Sequence, residues 1–272
     1  MTLQLRHAER ACYLPALTGL CDNTSMQRLD LTLSTPAENL ALDEALLDWA
    51  EDEGPAREFL RLWESPQPIV VVGRSSRVGQ EVDEHECAWR RIPILRRSSG
   101  GAAIVAGPGC LMYAVVLSYH LHPLLRDISR AHAHVLGRLA DSLRPYVPNV
   151  SCAGTSDLVL VDEMRAAPPK KFSGNSLRAK RSHLLYHGTL LYDFDLSLIA
   201  ACLRSPPRQP DYRGARSHSE FVTNLPIAGR DLAAALASAF PTTEQLAAWP
   251  RSRVDTLVAE RFSLESWNRE FA

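Results

Sequence analysis

Apolar positions along this chain fall into short runs whose period changes from one stretch to the next. Across residues 36–50 they recur at helical spacing, with Leu42, Ala45, Leu46 and Trp49 on one stripe. Thr35-Pro36-Ala37-Glu38 opens that stretch with an N-cap, a proline at the first helical position and the glutamate of a capping box. Gly54-Pro55 stops it. Residues 58–63 then alternate polar with apolar, and 68–72 form a short β-branched run; both predict strands, the second a buried one. Further strands are expected at 92–95, 102–105, 111–119, 158–161, 172–177 and 184–192. Helical periodicity returns at 126–146, 195–203, 233–240 and 243–249. A Pro-containing connection at 166–169 and a basic, Pro- and Ser-containing loop at 206–219 lie between these elements. Strands outnumber helices and often come as adjacent hairpins, which predicts an α+β fold, a mixed, largely antiparallel sheet flanked by helices. One domain over residues 28–272 is expected, with 1–27 as an N-terminal extension.

Composition narrows the function classes. The formal net charge is -1, so nothing pulls the chain toward nucleic acid or anionic lipid. No apolar run approaches the roughly 20 residues of a membrane span, and the N-terminus lacks a signal-peptide core. The six cysteines (12, 21, 87, 110, 152 and 202) include no CxxC pair, which suits a reducing compartment. A cytoplasmic protein with no membrane and no nucleic-acid partner is expected.

Four segments carry candidate chemistry. In Arg96-Arg97-Ser98-Ser99-Gly100-Gly101-Ala102-Ala103, paired glycines let backbone approach a ligand, and arginines and serines offer donors to anionic oxygens. A hairpin turn with solvated arginines fits the same string. In Lys170-Lys171-Phe172-Ser173-Gly174-Asn175-Ser176, a lysine can present its ammonium to a phosphate or carboxylate, although adjacent lysines are commonly surface charges. Tyr186-His187-Gly188-Thr189 places a histidine at an apolar strand, lining a pocket or satisfied in the core. Cys152-Ala153-Gly154-Thr155-Ser156-Asp157 holds a possible nucleophile and a possible magnesium ligand, or a buried filler and a turn residue.

Taken in order, these segments are more specific than any one of them. With Glu38-Asn39-Leu40-Ala41-Leu42-Asp43-Glu44 before them and Arg216 with Val222-Thr223-Asn224-Leu225 after, the chain resembles the lipoate–protein ligase A family of the biotin/lipoate ligase superfamily. That resemblance implies attachment of a lipoyl or octanoyl group to a lysine of a lipoyl-domain (E2-type) or glycine-cleavage H-type acceptor. It implies ATP and Mg²⁺, with lipoate or octanoate as acyl group and an acyl-adenylate between them. Lys171 matches the family's charge-stabilising lysine and Asp157 its position near Mg²⁺ and phosphate. Arg74, Arg97, Ser99, Gly100, Gly101, Ala102, Ala103, Gly174, Asn175, His187, Gly188, Thr189 and Arg216 fall where the family binds acyl group and adenylate.

The chain also departs from the pattern. The family's third glycine, valine and His-Asp are replaced in Gly-Gly-Ala-Ala-Ile-Val-Ala-Gly. No C-terminal accessory domain is expected; relatives of this kind take that domain from a separate chain or do without ATP. Cysteine-dependent octanoyltransferases and amidotransferases form the second group, and the string Cys-x-Gly-x-x-Asp-Leu resembles the amidotransferase pattern. In that alternative Cys152 carries the acyl group as a thioester beside Lys171, and an acyl carrier protein is the donor. A biotin–protein ligase and a non-catalytic lipoyl-domain binder are further alternatives.

Overall fold

The computed structural model describes residues 26–162 and 164–270; the expected extension lies outside them except for Met26 and Gln27. In chain order the elements are β1 (Gln27–Asp30), α1 (Pro36–Glu53), β2 (Phe59–Trp63), β3 (Ile69–Val72), α2 (Val78–Glu81), α3 (Glu84–Arg90), β4 (Ile94–Arg96), β5 (Ile104–Ala106) and β6 (Cys110–Ser118). Then follow α4 (Ile128–Leu143), β7 (Val150–Ala153), β8 (Asp157–Asp162), β9 (Ala167–Ala179), β10 (His183–Leu191), α5 (Ser197–Cys202), α6 (His218–Phe221), α7 (Gly229–Ala239), β11 (Glu244–Gln245), α8 (Arg251–Leu257) and α9 (Glu265–Asn268).

Eight strands form the main sheet in the order β11-β1-β2-β6-β10-β9-β8-β7, and β4-β3-β5 form a second, small sheet. Only the β11–β1–β2 end of the main sheet is parallel; every other neighbour pair in it is antiparallel. This is the mixed α+β architecture expected. Side chains alternate across each strand, so the sheet has two faces and two cores. One core joins Leu60, Tyr113, Leu158, Phe172 and Tyr186 to α4 and α7. The other joins Phe59, Met112, Ala114 and Leu185 to α1 and the small sheet.

Helix α1 starts as the sequence predicts. The Thr35 hydroxyl accepts from the Glu38 amide at 3.2 Å, and the Glu38 carboxylate accepts from the Thr35 amide at 2.8 Å. Its environment differs from the expected amphipathic stripe, because residues 39–47 are all buried, Asn39, Asp43 and Glu44 included. The helix is sandwiched between the sheet and the C-terminal helices, so its polar side chains need internal partners, which Arg61 on β2 supplies to Asn39 and Asp43. Strand β2 differs likewise: the expected polar–apolar alternation is buried throughout, with Arg61 at 0% exposure.

Residues 243–249 are not helical. Glu244 and Gln245 extend the sheet beside Gln27 and Arg28, and backbone pairing to that open edge outweighs the local apolar spacing. The connection expected at 166–169 lies largely within the long strand β9. The loop expected at 206–219 contains a single 3₁₀ turn at Asp211–Arg213 and the start of α6. Among the described residues, no helix is long and apolar enough to cross a membrane.

Candidate functional site

The chemistry-bearing segments converge where β8, β9 and β10 meet the 97–103 loop. Two facts of strand geometry decide which side chains face the site. Register places Asp157 opposite Gly174, and Gly174 opposite Thr189, so these three share a face. A register shift after Leu158 then pairs Val159 with Lys171, which brings Lys171 to that same side. Its ammonium meets Asp157 Oδ1 at 2.7 Å. Lys170, one residue earlier, is exposed, which resolves the adjacent lysines.

Gly174 makes this ion pair possible. A Cβ there would stand 2.9 Å from Lys171 Nζ and 3.0 Å from its Cε. The other oxygen of Asp157 accepts from the Tyr212 hydroxyl at 2.7 Å, and burial beside that carboxylate pushes the phenol well above its ordinary range. Behind Lys171 runs the Val222-Thr223 segment, the Thr223 amide donating to the Lys171 carbonyl at 2.9 Å. Arg216 reaches back to the carbonyls of Pro169 and Tyr212 at 3.0 and 2.9 Å. Arg213 and Arg216 each retain one buried guanidinium nitrogen, Nη2 and Nη1 respectively, with no hydrogen-bond partner. Next to them His218 lies below the ordinary histidine range, held there by burial and by Arg213 and Lys171 against the Arg204 carbonyl. The region is cationic and has N–H groups to offer an anion.

Loop 97–103 forms the other wall, and its arginines differ from expectation. Arg97 does not offer its guanidinium outward. Nη1 donates to the Val71 carbonyl, Nη2 to the carbonyls of Gly100 and Ala102, and Nε to Ser99 Oγ and the Gly100 carbonyl. Burial brings its pKa down to about 10, partly opposed by Glu81. Arg96 is buried too, donating to Gly73, Arg74, Ser76 and Trp267 carbonyls. A tight loop turns its carbonyls inward; Arg97 satisfies those of Gly100 and Ala102, while Arg96 ties the 73–76 turn to the C-terminal helix. Arg74 is exposed and lies over Trp267 at 4.9 Å, while its amide holds the Ser99 carbonyl at 2.8 Å.

The two glycines of this loop are unequal. Gly101 has φ +89°, and a Cβ would meet Arg97 Nη2 at 2.9 Å, whereas Gly100 has open space around it. Within the protein itself, only Gly101 of the two is sterically confined. Gly73, from outside the motif, is as constrained: its Cβ would strike the Gly101 carbonyl at 1.9 Å. Ala103 donates its amide to Glu81 Oε2 at 2.6 Å, and the Ala102 carbonyl accepts from Arg97.

His187 faces the loop. Its Nε2 lies 2.5 Å from Ser99 Oγ and its Nδ1 3.4 Å from Asp43 Oδ2. Opposite it on β9, Ser176 donates its hydroxyl to the Gly100 carbonyl at 2.8 Å.

Two expected ligand contacts turn out to be structural. Asn175 and Gly188 belong to the opposite face, where Asn175 Oδ1 accepts from the Tyr113 hydroxyl at 2.6 Å. A Cβ on Gly188 would strike that Oδ1 at 1.9 Å, so this glycine serves the asparagine. Cys152 also points away from Lys171. It pairs with Leu158 in register, is 5% exposed and packs in the core with Leu158 and Phe172; its sulfur is held in a disulfide.

Tyr212, Arg213 and Glu81 join the site without having been named from the sequence, and Ser176 and Asp43 join it from within quoted segments in which neither had been given a role. For Asp43 a signal existed, an acidic residue inside an apolar helical stretch; the others lie in a 3₁₀ turn, a short helix and a strand and carry no such signal. As to metals, no cluster of three or more His, Cys, Asp or Glu suited to an ion occurs among the described residues. The single carboxylate of Asp157 fits Mg²⁺ only as an ion held mainly by water and substrate phosphates, its usual manner of binding.

Residues 35–237 match the family model described as the lipoyl protein ligase A/B catalytic domain, and the chain belongs to that family. It is 26% identical over 203 residues to the lipoate-protein ligase A of Bdellovibrio bacteriovorus, covering 74% of this chain and 56% of that protein. It is 28% identical over 229 residues to the octanoyltransferase LipM of Kyrpidia tusciae, covering 78% and 80%. Among solved structures, a bi-partite lipoate protein ligase of Thermoplasma acidophilum superposes with TM-score 0.77 at 22% identity, covering 92% of this chain and 98% of that one. The chain thus spans less than two thirds of the length of the Bdellovibrio ligase and four fifths of that of the octanoyltransferase.

Proposed function

We propose that this protein transfers a lipoyl or octanoyl group to a lysine of a lipoyl-domain protein, by the ligase route through an acyl-adenylate. The observation that carries the reading is the placement of Lys171 and Asp157 on the face that the 97–103 loop covers, with Cys152 buried on the other. In this reading Lys171 stabilises the charge shared by acyl carboxylate and α-phosphate, an ammonium set where negative charge develops. The unpartnered N–H groups of Arg213 and Arg216 lie nearby to receive phosphate oxygens. Asp157 holds Lys171 in place and would ligate Mg²⁺ brought by the nucleotide, which would neutralise phosphate charge there. Ser99, Gly100, Gly101, His187 and Thr189 border the acyl end. The lipoate–protein ligase solved with its E2 lipoyl domain supports an acceptor of that kind.

The second reading, a transferase using Cys152 without ATP, is favoured by the octanoyltransferase match, which covers more of that relative than of the ligases. Against it, the thiolate would have to be freed from its disulfide and carried to the opposite sheet face.

Three reactions distinguish the routes, each containing apo lipoyl domain, reductant and the protein, read by intact mass. The first adds octanoate or lipoate with Mg-ATP, the second preformed octanoyl-adenylate, the third octanoyl-carrier protein without ATP. The ligase reading expects acylation in the second, and in the first once any separate accessory chain is supplied. Acylation in the third alone overturns it.

A further inference from the structure

A line of buried polar contacts runs from the core to the glycine loop, and two of its members, Arg61 and Asp43, have no part in the proposed chemistry. Arg61, wholly buried on β2, donates Nη1 to Asp43 Oδ1 at 2.5 Å. The same guanidinium donates to the Asn39 carbonyl and side-chain oxygen and to the Leu31 carbonyl, at 2.6–2.9 Å. Asp43 is thereby an anchored carboxylate, and its second oxygen lies 3.4 Å from His187 Nδ1. His187 Nε2 is 2.5 Å from Ser99 Oγ, which also accepts from Arg97 Nε at 3.1 Å. Ser99 and His187 are 2% and 9% exposed, so water does not compete freely along this line.

Donor–acceptor logic orders it. A carboxylate can only accept, so the ring proton of a neutral His187 belongs on Nδ1, facing Asp43. Nε2 is then an acceptor and takes the hydroxyl hydrogen of Ser99. The Ser99 oxygen in turn has a lone pair for Arg97. Each atom has one role, set by the one before it.

We propose that Asp43, held by Arg61, is a positioning residue for the acyl site: it fixes the tautomer of His187, which fixes the Ser99 hydroxyl and so the first turn of the glycine loop. The proposal rests on the reading of that loop as the acyl-binding wall. Without the carboxylate, His187 can carry its proton on Nε2 and present a donor to Ser99, whose hydroxyl then turns away from the ring. The loop entry at Ser99, adjoining Gly100 and Gly101, loses its fixed geometry. An outer partner of this kind sets the orientation of a histidine without touching substrate, as carboxylates do for many functional histidines.

The test combines a spectroscopic and a thermodynamic reading. Long-range ¹H–¹⁵N correlation on the full chain reports the His187 tautomer; titration calorimetry reports octanoate binding. Wild type is expected to show Nδ1–H, Ser99→Ala to keep Nδ1–H, and Asp43→Asn to show a tautomer mixture. Octanoate affinity is expected to fall about tenfold or more in Asp43→Asn, the scale of one lost hydrogen bond to a charged group. In a Ser99→Ala background the Asp43→Asn change should cost little more, since the two act in series. Should Asp43→Asn not fold, because Arg61 is left unpaired, the double variant Asp43→Asn with Arg61→Met, which removes both buried charges, takes its place in the cycle with and without Ser99→Ala. Nε2–H in octanoate-binding wild type, or additive losses in the cycle, overturns the proposal alone. Wild type that binds neither octanoate nor lipoate overturns the acyl-site reading and this proposal with it.

Discussion

Lys171 Nζ and Asp157 Oδ1 stand 2.7 Å apart over the bare Cα of Gly174. The cation, the carboxylate and the glycine that admits them come from two neighbouring strands. Tyr212 closes the group from a turn 55 positions beyond Asp157. The Lys-x-Ser-Gly spacing thus has a steric meaning: the glycine leaves the room its lysine needs.

That relationship can be tested without touching either charge. Gly174→Ala puts a methyl 2.9 Å from the ammonium and should displace it from Asp157. Lys171→Ala is expected to reduce acyl transfer ~10²–10³-fold, the scale of removing one preorganised donor from developing charge. Gly174→Ala should lose a large part of the same factor while its far-UV spectrum stays that of wild type. Near-wild-type turnover by either folded variant would contradict the role given to Lys171.

The glycine loop makes an asymmetric prediction. Gly101→Ala adds about 1–3 kcal/mol of local strain at a positive φ and should cut activity ~10-fold or more. Gly100→Ala, with open space around the new methyl, should fold with an unchanged melting temperature. Equal thermal destabilisation of both variants would show that the loop is not held as described.

Much of this was legible in the sequence because it is local. The capping box of α1, the β-branched run of β3 and the order of the motif segments each depend on residues a few positions apart. What escaped depends on contacts across the chain. Arg61 read as the polar member of an alternating strand because its partner Asp43 sits on a helix 18 residues away. Cys152 and Lys171 are close in sequence, but strand alternation sends them to opposite faces. Asn175 and Gly188 read as ligand contacts and instead satisfy Tyr113 and each other. Residues 243–249 read as a helix because an open sheet edge near the start of the described chain is invisible in local periodicity.

The buried ion pair carries a stability prediction. Arg61→Met removes the cation and leaves the Asp43 carboxylate without its counter-charge in a dry environment. Breaking such a pair from one side costs about 3–5 kcal/mol. Urea unfolding should show that loss; a change under ~1 kcal/mol would mean that Asp43 is solvated or protonated instead.

A pH dependence follows from His132 on α4, whose Nδ1 lies 2.9 Å from the Tyr186 hydroxyl. Burial lowers its pKa from the ordinary 6.5, with Asp157 opposing. Below pH 6.5 the unfolded chain takes up a proton that the folded chain does not, so stability falls as pH drops from 6.5 toward the lowered value. The urea midpoint should therefore decline between pH 7 and pH 5, and less steeply in His132→Gln. Parallel curves for the two proteins would remove His132 as the cause.

In the proposed reaction the acyl group is activated as an adenylate beside Lys171 and does not pass through Cys152. The most direct test is a reduced single-turnover reaction of Cys152→Ala with octanoyl-adenylate and apo lipoyl domain, followed by intact mass of both proteins beside the wild type. Octanoylated acceptor is expected at the wild-type rate, with no octanoyl adduct on either enzyme. An adduct on wild-type Cys152 that passes to the acceptor, together with an inactive Cys152→Ala, would contradict it.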